Sequence, residues 1–540
     1  DFSRVLSGGR SSELFRVKED PEHRHDPFPL TEVQQAYWMG QAPGLPLNSK
    51  TYYLVEMEGS DISVERLNEA FRLVVGRHEM LRTEITADGQ QVIREKALVT
   101  PVEVTRVADV KQAVSAVSAW WNELNDMNES FPYAARAFEY GKNSMRLAMA
   151  FSYMNLDGYS IKMILREIAE AYRNPEKYSS RPPLALSFRD YILSHGYSEE
   201  KLQEAHRYWD EKIDNLPPAP QLPTECSPDR IEKSHFVRIA GTLPHKELDI
   251  IKASAREFGL TPSAVFLHAY AEVLCRYSGT DGVTVNMTLF DRMNVHPEIY
   301  DVAGDFTSLV PVAYRPDTTG SFAASTGVLA ENLAESLDHR ELSSIYIQRE
   351  LSKRKGLSMA SLPVVFTSTL GIADDLLSQD TGAGFLTLAE GGLSETPQVW
   401  LDHQLYETAD GLYLSWDYVS ELYDGNLIRE MFECYMELIH RLVTESWQLN
   451  IQAELPKETV RIRTVVNTTS APLSSLLLAE RIHMNGITMA DSPALFYGDR
   501  IVTYGQMHAS VMRVASLLIQ HGVKPLDRIA VSVPRGPLQI

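Results

Sequence analysis

Cysteine is scarce: Cys226, Cys275 and Cys434 are the only three in 540 residues, and they form no CxxC pair. That spacing argues against a disulfide framework or a zinc knuckle, and the apolar helical surroundings of Cys275 and Cys434 mark them as reduced core residues. No apolar run approaches the length of a membrane span, and the opening Asp1-Phe2-Ser3-Arg4 lacks the hydrophobic stretch of a signal peptide. A cytoplasmic protein with no membrane partner is expected. Positive charge is also short, 51 Lys and Arg against 72 Asp and Glu, which disfavours nucleic acid as a partner. A Walker loop, G-x-G-x-x-G and G-x-S-x-G are all missing, so nucleotide, dinucleotide and serine-hydrolase chemistry have no anchor.

What remains is the composition of a globular protein, 44% hydrophobic and 23% charged, in a chain long enough for two or three domains. Residues 1–27 read as an interdomain linker, with Gly8-Gly9, Ser11-Ser12 and the charged run His23-Arg24-His25-Asp26. Strands and helices then alternate in two blocks of similar size, 28–200 and 201–452, which suggests an α/β protein of two lobes with a cleft between them. Helices are predicted over Ser63–Val75, Ser198–Ile213, Pro262–Tyr277 and Asn426–Val443. The proline-dense Leu216-Pro217-Pro218-Ala219-Pro220-Gln221-Leu222-Pro223 reads as an extended connector. Residues 453–480 read as a second linker, and 481–540 as a further α/β segment cut off in mid-domain after a buried strand at Arg528–Val533.

Within the first block, AMAFSYMNLDGYS (148–160) forms a strand, a tight turn and the start of a helix. Met145, Leu147, Met149, Phe151 and Tyr153 share one face, while Ala148, Ala150 and Ser152 share the other. Ile161, Ile164, Leu165, Ile168 and Tyr172 then recur at helical spacing, with Ser160 placed as the N-cap. Asp157 reads as a turn residue. His206 and Asp210 satisfy an H-x-x-x-D spacing but lie in a polar helix, where residues four apart make a surface pair. Asp374-Asp375 lack a third ligand and read as solvated, so no metal site and no cofactor-binding residue is expected.

Three stretches carry more: GDFTSL (304–309), PVVFTS (363–368) and TPQVWLDHQ (396–404). Together with FPLTEVQQAYWMGQ, RHEMLRT, LPPAPQLP, TPSAVFLHAYAEVLCRYSG and LSWDYVSELY, they stand in the order of the signatures of a heterocyclization domain of a nonribosomal peptide synthetase. The chain resembles that specialised relative of the condensation domain over residues 28–452, although Gln41 stands where arginine is usual. ADSPALFYGDRIVTYGQM and GVKPLDRIAVSV resemble the start of an adenylation domain, without its ATP loop.

The resemblance implies two chloramphenicol-acetyltransferase-like lobes forming a V-shaped pseudo-dimer with a central tunnel. It also accounts for the missing histidines, because heterocyclization domains replace the two-histidine motif with Asp, four residues, Asp, two residues and Ser. Here the last two positions are Asp157 and Ser160, and the first is Ser152. Asp157 is then expected to pair structurally with Arg292, since a buried carboxylate needs a cationic partner. Asp402 becomes the acid-base residue, desolvated by Val399, Trp400 and Leu401, and Thr367 orients it or the leaving oxygen. Gln398, Ser368 and Ser152 are expected to position substrate.

The implied reaction joins two thioesters on phosphopantetheine arms supplied by upstream and downstream carrier domains. A cysteine, serine or threonine acceptor is acylated, and loss of water closes a thiazoline or oxazoline. With Ser152 in place of Asp, condensation without ring closure and a degenerate carrier-docking scaffold are the alternatives.

Overall fold

The computed structural model describes residues 16–96, 99–127, 130–356, 361–370, 386–389, 392–408 and 410–540. It divides into two compact units, the first ending at Pro456 and the second running from Lys457 to Ile540. Asp374 and Asp375 lie outside the described residues.

The first unit is built on two large sheets. Its first lobe holds β2 (Tyr52–Ser60), β5 (Glu103–Arg106), β6 (Tyr133–Tyr140) and β7 (Ser144–Ser152), extended at the β2 edge by β12 (Leu386–Leu388) and β13 (Leu393–Glu395). The second lobe orders its strands as β10 (Thr307–Tyr314), β9 (Val283–Phe290), β11 (Val364–Ser368), β14 (Leu401–Thr408), β15 (Gly411–Val419) and β8 (Phe236–Pro244). The pairs β9–β11 and β11–β14 are parallel; the other pairs in this sheet are antiparallel. A small sheet of β1 (Phe28–Pro29), β3 (Thr83–Ile85) and β4 (Gln90–Ile93) joins the first lobe.

Alternation along β7 sorts its side chains as the sequence predicts. Met145, Leu147, Met149 and Phe151 enter the core under the helices Val64–Arg77 and Gly158–Arg173, while Ala148 and Ala150 face Trp120 and Trp121. The second core centres on the helix Pro262–Ser278, whose residues are almost all buried. Thr261 caps its N-terminus, Pro262 opens it, and Gly279 ends it in a left-handed conformation at φ 64°.

Several expectations are corrected. The chain does not split into lobes at one point: β12 and β13 return to the first lobe's sheet, and Ile299, Val302, Ala303 and Phe306 enter its core. Long-range strand pairing of this kind leaves no local sequence signal. Residues 19–24 are anchored, with Arg24 paired to Glu79 at 2.8 Å and His296 to Glu19 at 3.0 Å. His206 and Asp210 do not pair with each other, because a second helix offers Tyr346 to His206 and Arg354 to Asp210.

The second unit contains helices Lys457–Asn467, Leu478–Thr488 and Tyr504–Gln520 and a hairpin of β16 (Pro493–Tyr497) and β17 (Arg500–Thr503). Arg528–Val533 is neither a strand nor buried, since among the described residues β16 and β17 pair only with each other and offer it no partner. Among the described residues, no single helix is long and apolar enough to cross a membrane.

Candidate active site between the lobes

The turn after β7 is a closed structural knot. Asp157, not Ser160, caps the helix Gly158–Arg173, because its Oδ1 accepts the Ser160 N–H at 2.7 Å. Its Oδ2 accepts the Phe306 N–H at 3.3 Å, and the Arg292 guanidinium lies 3.5 Å from both oxygens. Arg292 also donates to Ser160 Oγ at 3.0 Å and to the Ile299 carbonyl at 2.8 Å, and its guanidinium stacks 3.9 Å from the Phe306 ring. Ser160 instead clamps Gly304, donating to its carbonyl at 2.9 Å and accepting its N–H at 3.1 Å. Gly304 must be glycine, since a Cβ there would fall 2.2 Å from Phe188.

The second lobe supplies a polar sheet face. Leu401, His403 and Leu405 point into the helix-covered core, so Asp402, Gln404 and Tyr406 share the opposite face of β14. The register aligns Asp402 with Asp417 on β15 and Val365 on β11, and Gln404 with Thr367. Asp417 is held by a two-pronged Arg238 contact at 2.7 and 2.6 Å. Asp402 has no cation of its own: Gln404 donates to its Oδ2 at 2.7 Å, and its buried Oδ1 has no partner among the described residues. Burial, with the charge of Asp417 adding to it, pushes the Asp402 carboxyl up to about 7.

Facing this wall, the first lobe contributes tyrosines. Tyr153 follows β7 and shares a 3.2 Å hydrogen bond with Ser394 on β13, while the Ser394 N–H donates to Asp417 at 3.1 Å. The rings of Tyr53 and Tyr37 lie 6.0 and 6.5 Å from that of Tyr153. Burial and the charges of Asp305, Tyr153 and Asp402 raise the Tyr37 phenol well above its ordinary value. A cavity of about 360 Å³ in the first lobe, lined by Arg24, His78, Glu79 and Arg181, includes none of these side chains.

The predicted residues do not all converge. Thr367 stands on the Asp402 face, but its hydroxyl donates to Thr288 at 2.9 Å, and Gln404 is the residue that touches Asp402. Ser368 points the other way, to Ser263 at 2.8 Å, because adjacent strand residues face opposite sides. Gln398 sits in a left-handed turn at φ 64°, exposed, with its amide donating to the Pro46 carbonyl at 2.7 Å. The Ser152 hydroxyl accepts the Met154 N–H at 3.2 Å within its own turn. Leu401 faces the core and does not cover Asp402.

Tyr37, Tyr153, Thr288, Ser394, Gln404 and the Arg238–Asp417 pair carry no role in the sequence reading. The period of two in LDHQLY was the signal for Gln404. Nothing local announces a tyrosine wall assembled from three separate segments.

Comparison with known proteins places this arrangement. The condensation-domain family description matches residues 25–460. The chain is 33% identical over 530 residues to pyochelin synthetase PchE of Pseudomonas aeruginosa, covering 96% of this chain and 36% of that protein. It is 29% identical to phenyloxazoline synthase MbtB of a Mycobacterium species over 523 residues, 95% of this chain and 44% of that one. The chain thus spans less than half the length of these two relatives. Among solved structures, the cyclization-docking bidomain of the EpoB nonribosomal peptide synthetase from Sorangium cellulosum aligns with a TM-score of 0.73 at 32% identity. That alignment covers 83% of this chain and 91% of the other.

Proposed function

Because the chain belongs to the condensation-domain family, we propose that it is a heterocyclizing member acting in a nonribosomal peptide synthetase. It condenses an upstream acyl or peptidyl thioester with a carrier-bound cysteine, serine or threonine, then dehydrates the product to a thiazoline or oxazoline. The similarity to a phenyloxazoline synthase and a cyclization bidomain supports the ring-forming step. Carrier domains deliver both substrates on phosphopantetheine arms that enter between the lobes.

The acceptor's α-amine attacks the acyl thioester to form an amide, and confinement of the two arms removes much of the entropic barrier. The acceptor's thiol or hydroxyl then adds to the amide carbonyl. The resulting hydroxyl leaves as water only if it is protonated, and the ring nitrogen must give up its proton. The observation that carries this reading is Asp402, a buried carboxyl with one oxygen unpartnered among the described residues and a proton affinity raised to about 7. It exchanges a proton with the ring, Gln404 orients it, and the half-buried Thr367–Thr288 hydroxyl pair holds the departing oxygen. Asp157, Ser160 and Arg292 hold the turn, and Ser152 takes no part in the chemistry.

The test mixes the chain with an acyl-loaded upstream carrier and, in turn, cysteinyl, seryl and threonyl downstream carriers, and reads the downstream carrier's intact mass. Amide product lacking one water is expected with at least one acceptor. Hydrated amide alone would remove the ring-forming role.

A further inference from the structure

The segment RHEMLRT takes no part in the proposed chemistry, yet its Arg77, His78, Glu79, Met80 and Arg82 all line the first-lobe cavity of about 360 Å³. Arg24 joins them from the N-terminal stretch, and Arg181 from the connector that follows the short helix Pro175–Ser179. Four arginines from three separate segments thus border one space.

Their charge is not balanced. Glu79 is the single carboxylate in the lining, and Glu167 lies behind His78. Glu79 is committed to Arg24 at 2.8 Å and to Arg82 at 3.5 Å. Glu167 meets His78 at 2.7 Å and Tyr178, with Arg181 and Arg77 at 3.7 and 3.8 Å. Against these two carboxylates the four guanidiniums leave two positive charges over, even with His78 neutral. These are not ordinary surface cations, since the side chains of Arg24, Arg77 and Arg82 are only 13–19% exposed. Burial, opposed by Glu79 and aided by the charge of Arg24, holds Arg82 below its ordinary proton affinity.

Donors are also left over. Arg24 spends Nη2 on the Leu184 and Ala185 carbonyls, Arg77 spends Nη1 on the Pro182 carbonyl, and Arg181 spends Nη2 on Glu170. The remaining Nη atom of each guanidinium has no hydrogen-bond acceptor among the described residues. The rest of the wall is apolar, with Met80, Leu186, Phe188, Val302 and Ala303 all buried.

We infer that this cavity is a binding site for a small organic phosphate, whose phosphoryl group meets Arg24, Arg77 and Arg181 and whose body lies against the apolar wall. A phosphate monoester carries roughly two negative charges near neutral pH, which is the surplus the lining leaves. Guanidinium forks match phosphoryl oxygens, and an anion in the space relieves both the crowding of like charge and the unmet donors. The volume is that of a small-molecule pocket, and the ligand ties together the N-terminal stretch, the end of helix Val64–Arg77 and the connector at Arg181. The site shares no residue with the ring-forming centre, so it stands or falls apart from that reading.

The test is isothermal titration of the full chain with phenyl phosphate, inorganic phosphate, benzoate and phenol, repeated on Arg77→Gln, Arg181→Gln and Arg207→Gln. Phenyl phosphate is expected to bind at one site with a Kd below about 1 mM, inorganic phosphate and benzoate about tenfold more weakly, and phenol not at all. Added phenyl phosphate should also raise the unfolding midpoint by mass action. Arg77→Gln and Arg181→Gln should each weaken phenyl phosphate about tenfold, whereas Arg207→Gln, in the helix Glu199–Lys212 and outside the lining, should leave it unchanged. Absence of saturable binding overturns the proposal. An equal loss in Arg207→Gln overturns it too, since that marks general attraction to positive charge, and benzoate binding as tightly as phenyl phosphate overturns the choice of phosphate. If Arg77→Gln does not fold, Arg181→Gln, whose side chain is 36% exposed, decides alone, and unchanged affinity there overturns the site.

Discussion

Asp157 in the first lobe and Asp402 in the second are both buried, yet the protein treats them in opposite ways. Both oxygens of Asp157 have protein donors and a guanidinium beside them. Among the described residues, Asp402 has one amide donor, one oxygen without a partner and a neighbouring carboxylate in register. A satisfied buried carboxylate fixes a turn; an unsatisfied one remains able to exchange a proton. Under the proposed function the same residue type serves structure in one lobe and chemistry in the other, and the difference lies in partners, not burial.

The largest effect should come from breaking the satisfied member. Asp157→Ala removes a helix cap and strands Arg292 in the interior, so denaturant unfolding should show a loss of roughly 3–5 kcal/mol. An unchanged midpoint would contradict the structural assignment. Asp402→Asn should do the reverse, leaving the unfolding midpoint equal or higher while lowering ring formation by about 10²–10⁴-fold in the carrier assay.

The pH dependence of stability sharpens the contrast. Asp402 rises from an ordinary 3.8 to about 7 on folding, so its favourable contribution is complete below about pH 4 and is lost as pH climbs through 7. Glu167 behaves oppositely: burial pushes it up, but His78, Tyr178 and Arg77 outweigh that and hold it at about 2. Its contribution is present above 4.5 and lost as pH falls towards 2. Unfolding measured between pH 4 and 8 should slope downward less in Asp402→Asn than in wild type; identical slopes would mean that Asp402 is not desolvated.

The smallest effect belongs to Ser152→Asp. The new carboxyl, kept protonated by burial, can accept the Met154 N–H that the serine accepts now, at a cost of roughly 1–3 kcal/mol. Ring formation should stay within about twofold of wild type, since a turn-forming Asx side chain replaces a turn-forming Ser. Abolished ring formation would place Ser152 in the chemistry after all.

The sequence made the strand, turn and helix around Asp157 legible because periodicity and turn residues are local. Helices such as Glu199–Lys212, predicted over Ser198–Ile213, follow from caps and amphipathic spacing in the same way. The motifs also contained part of the site, with Tyr37 in FPLTEVQQAYWMGQ and Asp402 and Gln404 in TPQVWLDHQ. What they could not say was which motif residue meets which. Ser368 and Thr367 are neighbours in sequence and opposites in the sheet, and Thr367 chose Thr288 over Asp402 because β9 and β11 lie side by side. The crossing of β12 and β13 into the first lobe, which brings Ser394 to Tyr153, depends on pairing across more than 300 residues.

The central claim is that Asp402 is a proton-exchanging group and Asp157 is not. Its most direct test is the intact mass of the downstream carrier after single-turnover reaction with Asp402→Asn, beside wild type. Amide that accumulates without losing water, in a variant that unfolds no earlier than wild type, is the predicted result. Ring product formed at the wild-type rate by Asp402→Asn would contradict it.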